Sequence, residues 1–172
     1  MERKAESGME LAHVRAASTS LGSYPARLPA LMPGPAFRLG TDIVDVRSVE
    51  ASIDRFGRRY LERVYTDAEI AYCCSEASGG AERFAARFAA KEATLKVLRP
   101  TDWRPEWRHI EVVRQSGGWC EIQLRGPAAT LAEEQGIQIV SCSLAHERSF
   151  ATAVVLGARR AISSDSLSSD HA

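Results

Sequence analysis

The stretch Phe37-Arg38-Leu39-Gly40-Thr41-Asp42-Ile43-Val44-Asp45-Val46 is rich in β-branched and apolar residues and predicts a strand. Beyond it the spacing changes. Val49, Ile53, Phe56, Tyr60 and Val64 recur at steps of 4, 3, 4 and 4, the period of one helical face, with Gly57 weakening the helix in its middle. Thr66-Asp67-Ala68-Glu69 fits a capping box, so a short helix is expected through about Cys74. A loop over Ser75–Gly80 precedes an Ala-rich helix, Glu82–Leu98, that contains neither Gly nor Pro. Thr101–Arg108 reads as a connection marked by Trp and Pro. Ile110–Val113 and Cys120–Leu124 then form a hairpin around Ser116-Gly117-Gly118. Gly126-Pro127 opens a further helix and Gly136 closes it. Ile137–Leu144 and Phe150–Leu156 are the last two strands, paired antiparallel. This order predicts an α+β fold, a small antiparallel sheet packed with helices.

Composition bounds the rest. A chain of 172 residues with 45% hydrophobic and 26% charged residues is one globular domain with a sizeable core. Lys+Arg and Asp+Glu are both 22, so the formal net charge is zero and binding driven mainly by nucleic-acid phosphates or anionic lipid is not expected. No apolar run is long enough to span a membrane, and no signal-peptide pattern opens the chain, so a cytoplasmic location is expected. Cys73, Cys74, Cys120 and Cys142 form no regular framework and read as free thiols. Residues 1–36, with Pro25, Pro29, Pro33 and Pro35, read as a disordered leader with a helical turn near Leu11–Ala17. Met32 is a candidate true start. The folded domain is expected over 37–158 and a disordered Ser/Asp tail over 159–172.

Several polar residues stand out against this pattern. On the Glu82–Leu98 helix, Phe84, Phe88, Leu95 and Leu98 fall within one stripe of roughly 80°, and Lys91 falls inside it. Glu92 and Lys96 share one flank with the small residues Ala85 and Ala89, while Arg83 and Arg87 share the other. A snorkelling lysine beside a solvated Glu–Lys pair accounts for this arrangement, and so does a ligand approaching closely over small side chains. Asp42 lies in a strand, where Asp is disfavoured. A nearby backbone group or arginine would satisfy it. Alternatively, Asp42 and Glu92 share one Mg²⁺, which takes one or two carboxylates and fills its shell with water and substrate phosphates. Lys91, Lys96, Arg83 and Arg87 would then face those phosphates, and the chemistry would be of the phosphoryl-transfer type.

Three segments carry a family resemblance: Gly40-Thr41-Asp42-Ile43-Val44, Arg63-Val64-Tyr65-Thr66-Asp67-Ala68-Glu69, and Arg83-Phe84-Ala85-Ala86-Arg87-Phe88-Ala89-Ala90-Lys91-Glu92-Ala93-Thr94-Leu95-Lys96. With Ile110-Glu111-Val112, the Gly118 turn, Leu124-Arg125-Gly126 and Ser143-Leu144-Ala145-His146-Glu147, they resemble the AcpS-type holo-acyl-carrier-protein synthases, a family of 4′-phosphopantetheinyl transferases. The resemblance covers about 37–157 and implies the AcpS-like fold. It implies attack of an apo acyl carrier protein serine on the β-phosphate of coenzyme A, yielding holo carrier protein and adenosine 3′,5′-bisphosphate. It implies Mg²⁺ held by Asp42 and Glu92, and coenzyme A contacts from Arg87, Lys91, Lys96 and His146. Glu92, Lys96 and His146 are the catalytic candidates. The proton acceptor is Glu92 through a water, or His146. The family is usually a homotrimer with active sites between subunits.

Some positions depart from the family pattern. Ser48 stands where an arginine facing the carrier protein is common, with Arg47 one residue earlier. Ala145 replaces a serine, and Gly118-Trp119-Cys120 replaces a Gly-Lys-Pro turn. His13, His109 and His171 show no metal-ligand spacing, and Trp103, Trp107 and Trp119 read as core or interface residues. The alternatives are a catalytically degenerate carrier-protein-binding module and a nucleic-acid binder using Arg55, Arg58, Arg59 and Arg63. Intact Asp42, Glu92 and Lys96 argue against the first. The basic run is better matched to an acidic carrier protein than to nucleic acid.

Overall fold

In the computed structural model, residues 37–75, 80–101 and 106–159 are described. The chain divides into Met1–Pro33 and Gly34–Ala172, and all described residues belong to the second unit. The expected leader, its helical turn, Met32, Trp103, His13, His171 and the tail beyond Arg159 lie outside the described residues.

The first and last strands of this unit pair with each other. β1 (Phe37–Asp45) runs antiparallel to β5 (Phe150–Arg159), which pairs antiparallel with β4 (Ile137–Glu147). The strand order is therefore β1-β5-β4, and β2 (Ile110–Arg114) with β3 (Cys120–Leu124) makes a separate hairpin sheet. The helices are α1 (Val46–Phe56), α2 (Arg58–Val64), α3 (Asp67–Cys73), α4 (Gly80–Leu98) and α5 (Gly126–Glu134). The fold is α+β with small antiparallel sheets, as the sequence pattern predicts.

Local signals act where expected. Thr66 Oγ1 accepts the Glu69 N–H at 3.2 Å, and the Thr66 N–H donates to Glu69 Oε2 at 2.8 Å, so the capping box forms in full. Pro127 stands in the first turn of α5, and Gly136 follows its end at φ +61°. Three expectations change. The helix expected through Gly57 is two helices, because Gly57 adopts φ +56° and ψ −137°, outside helical geometry. β4 and β5 run longer than Leu144 and Leu156. Ala145–Glu147 are exposed and leave no apolar signal, yet they pair with Phe150–Thr152.

The third change concerns the small residues of α4. Ala85, Ala89 and Ala93 are fully buried, and the helix lies against β1 and β5. A Cβ at Gly40 would come within 1.9 Å of the Ala93 carbonyl oxygen, and one at Gly157 within 2.5 Å of Val97 Cγ1. At Ala93 and Val97 helix and sheet are therefore in close contact. With α4 on one face of the sheet, the opposite face stays bare. Phe37, Leu39, Ile43, Phe150 and Val154 are 41–68% exposed on it.

Candidate active site

Side chains alternate along β1, so Asp42 shares the face of Gly40 and Val44 and points toward α4. Glu92 and Lys96 lie one helical turn apart on α4. Lys96 Nζ reaches across to β1 and donates to Asp42 Oδ1 at 2.8 Å and to the Thr41 carbonyl at 2.7 Å. Thr152 Oγ1, on β5, donates to the Asp42 carbonyl at 2.9 Å and fixes that strand from its other side. Glu92 is half-buried. Burial pushes its carboxyl up from its ordinary value, the Asp42 charge pushes it further, and Lys96 opposes both. Two carboxylates and an ammonium thus converge from residues separated by about fifty positions. Among the described residues no group of three or more His, Cys, Asp or Glu could hold a metal. A pair of partly exposed hard oxygen donors fits Mg²⁺, which keeps waters and takes the rest of its shell from substrate phosphates.

A second group gathers around a cavity between α3, α4, β3 and β4. Arg87 lines it, 4% exposed, with its guanidinium 4.2 Å from the centre of the Tyr72 ring. The guanidiniums of Arg83 and Arg114 each lie 5.8 Å from the same ring. His146 lines the cavity from β4. Buried Arg87 Nε has no hydrogen-bond partner among the described residues. An under-satisfied cation in a cavity with other cations suits an anionic ligand. Tyr72 and Arg114 were not singled out by the sequence reading. They lie on different elements, and no linear spacing connects them to Arg87.

Lys91 belongs to neither group, which corrects its assignment as a phosphate contact. It is fully buried, and Nζ donates to Glu69 Oε2 at 2.8 Å, to the Trp107 carbonyl at 3.0 Å and to the Ile110 carbonyl. Those acceptors use all the protons an ammonium has, and none remains for a phosphate. Burial pushes the amine down from its ordinary value, and the Glu69 carboxylate holds it up against that. Lys91 lies about 100° around the helix from Glu92, so it ties α4 to α3 and β2 while Glu92 faces β1.

The structure therefore brings Asp42, Glu92 and Lys96 together, and Arg87 with His146, but the cavity lined by Arg87 and His146 includes none of the first three. Arg47, Arg55, Arg58, Arg59 and Arg63 are exposed on α1 and α2, which follow directly from β1. No helix among the described residues is long and apolar enough to cross a membrane.

The fold is one that known proteins share. The model of the 4′-phosphopantetheinyl transferase superfamily matches residues 38–155. The holo-[acyl-carrier-protein] synthase of Gloeobacter violaceus is 42% identical over 127 residues, covering 72% of this chain and 96% of that protein. The protein of the same name from Koribacter versatilis is 44% identical over 119 residues, covering 68% and 94%. Among solved structures, the Chronobacterium ammoniagenes ACPS–CoA complex superposes with a TM-score of 0.65 at 25% identity, covering 74% of this chain and all of that one. The chain belongs to the 4′-phosphopantetheinyl transferase superfamily, and within it to the AcpS-type holo-[acyl-carrier-protein] synthases.

Proposed function

We propose that the chain transfers 4′-phosphopantetheine from coenzyme A to a serine of an apo acyl carrier protein, in an Mg²⁺-dependent reaction that releases adenosine 3′,5′-bisphosphate. The observation that carries this reading is the convergence of Asp42, Glu92 and Lys96 from β1 and α4. Asp42 and Glu92 would hold Mg²⁺, which when bound neutralises charge developing on the pyrophosphate. Lys96 contributes a donor to the phosphate undergoing attack. Arg87 and His146, with Arg114 and Tyr72 beside them, bind the nucleotide end of coenzyme A. Phosphoryl transfer needs positioning and fixed positive charge more than a strong acid, and these residues supply both. The serine proton passes to Glu92 or His146.

The same reading accounts for the separation of the two groups. A homotrimer would join the Asp42 group of one subunit to the Arg87 group of a neighbour, and the bare apolar face of the β1-β5-β4 sheet is the surface available to seal it. The exposed arginines of α1 and α2 would meet the acidic carrier protein. Residues 37–158 act as the catalytic domain, and the cytoplasm is the site of action. The test is direct. Incubation with coenzyme A, Mg²⁺ and apo carrier proteins of fatty-acid and polyketide synthesis should add one phosphopantetheine group to at least one of them, read by mass spectrometry. Asp42→Asn and Glu92→Gln should each lower turnover by about 10²-fold or more. Carrier-protein binding without any mass gain would instead favour a non-catalytic module.

A further inference from the structure

The Lys96–Asp42 contact is an unusual place to keep a substrate-binding lysine. Nζ spends one proton on Asp42 Oδ1 at 2.8 Å and a second on the Thr41 carbonyl at 2.7 Å, so in the free chain the ammonium caps one of the two carboxylates assigned to the cation. The lysine side chain is 51% exposed and that of Asp42 18%, so one end of the ion pair stands in water and its contribution to stability is modest. The hydrogen bond to Thr41 anchors the amine to the backbone of the strand that carries Asp42, which holds it in place beside the carboxylate. The formal charges are those of two acids and one base, leaving a single negative charge in excess. A divalent cation arriving there meets an ammonium already in contact with one of its ligands.

We infer that Lys96 is the resident counter-ion of Asp42 and that divalent-cation binding requires it to leave, so that the cation and coenzyme A bind cooperatively by sharing Lys96 between them. The inference rests on the metal reading above and adds to it a coupling between the two ligands. With the cation alone, Lys96 either blocks Asp42 or is repelled by the new charge. With the pyrophosphate of coenzyme A present, the ammonium moves to an anion, and the cation gains both a free carboxylate oxygen and phosphate ligands. Linkage makes the effect reciprocal: the cation tightens coenzyme A by the factor by which coenzyme A tightens the cation. A factor of about tenfold is expected from the typical range of such couplings.

The experiment is a titration of the full-length protein with Mn²⁺ as a spin-visible substitute for Mg²⁺, counting free ion by electron paramagnetic resonance, with and without coenzyme A. Wild type should bind Mn²⁺ weakly alone and about tenfold more tightly with coenzyme A. Lys96→Met should bind Mn²⁺ about tenfold more tightly than wild type without coenzyme A, and coenzyme A should then tighten it less. Lys96→Arg keeps the charge and should behave as wild type does. Tightening by Lys96→Arg equal to that by Lys96→Met would overturn the counter-ion role, because charge would not be the cause. If Lys96→Met binds no tighter while Asp42→Asn weakens Mn²⁺, the counter-ion role fails and the metal reading stands. If Asp42→Asn leaves Mn²⁺ affinity unchanged, the metal reading itself fails and takes this inference with it.

Discussion

Replacing Lys91 by Met should damage folding and leave coenzyme A recognition intact. The side chain is fully buried, and its partner Glu69 is only 2% exposed. Met keeps most of the lysine volume, so the perturbation is mainly the loss of the charge and three hydrogen bonds. Glu69 would still accept the Thr66 and Val112 N–H groups, but its carboxylate would be left without a counter-ion. Removing one partner of a buried ion pair typically costs about 3–5 kcal/mol. Domains of this size are stable by roughly 5–15 kcal/mol, so much of the total is at stake. Urea unfolding at fixed protein concentration, with a slope of about 2 kcal/mol/M, should show the midpoint falling by about 2 M. Lys91→Met combined with Glu69→Gln should recover part of that loss, because the buried charge goes too, although the glutamine oxygen accepts only one of the Thr66 and Val112 N–H groups. The reasoning is refuted if Lys91→Met loses less than ~1 kcal/mol and raises the KM for coenzyme A, the pattern of a phosphate contact.

Other outcomes follow from the same geometry. Because the folded Glu92 carboxyl is raised by burial and by Asp42, the native state holds its proton longer than the unfolded chain does, so stability falls as pH rises through that window. Glu92→Gln in chelator should therefore melt higher than wild type above the raised native value, with the gain gone below the ordinary value of 4.5. Equal melting temperatures at neutral pH would contradict the shift. Gly40→Ala should cost about 1–3 kcal/mol or more, since its Cβ would meet a backbone oxygen at 1.9 Å, and turnover should fall with it as α4 is pushed from β1. An unchanged urea midpoint would count against the close helix–strand contact. Sedimentation should show a trimer that Ile43→Lys converts to smaller species. A wild-type monomer with full activity would remove the shared-site reading.

The sequence alone determined the elements whose signals are short-ranged. The capping box at Thr66, the helix through the Ala-rich run, the Gly-Gly hairpin turn and the closing Gly136 each depend on a few neighbouring residues and their backbone angles. Asp42 and Glu92 stood out in the sequence as acids, each with a local explanation beside a shared cation, and their approach across β1 and α4 is tertiary. Only the tertiary structure decided which faces meet. Periodicity placed Lys91 on an apolar stripe, but whether that stripe ended in solvent or against a buried carboxylate depended on where α3 and β2 packed. Ala85 and Ala89 read as a flank beside a solvated Glu–Lys pair or as room for a ligand, and the fold buries both on a helix packed against β1 and β5. The pairing of β1 with β5 joins residues more than a hundred positions apart, and Tyr72 meets Arg87 and Arg114 across three elements. Such contacts are selected by the burial of whole surfaces, a long-range competition that no local stretch of residues encodes.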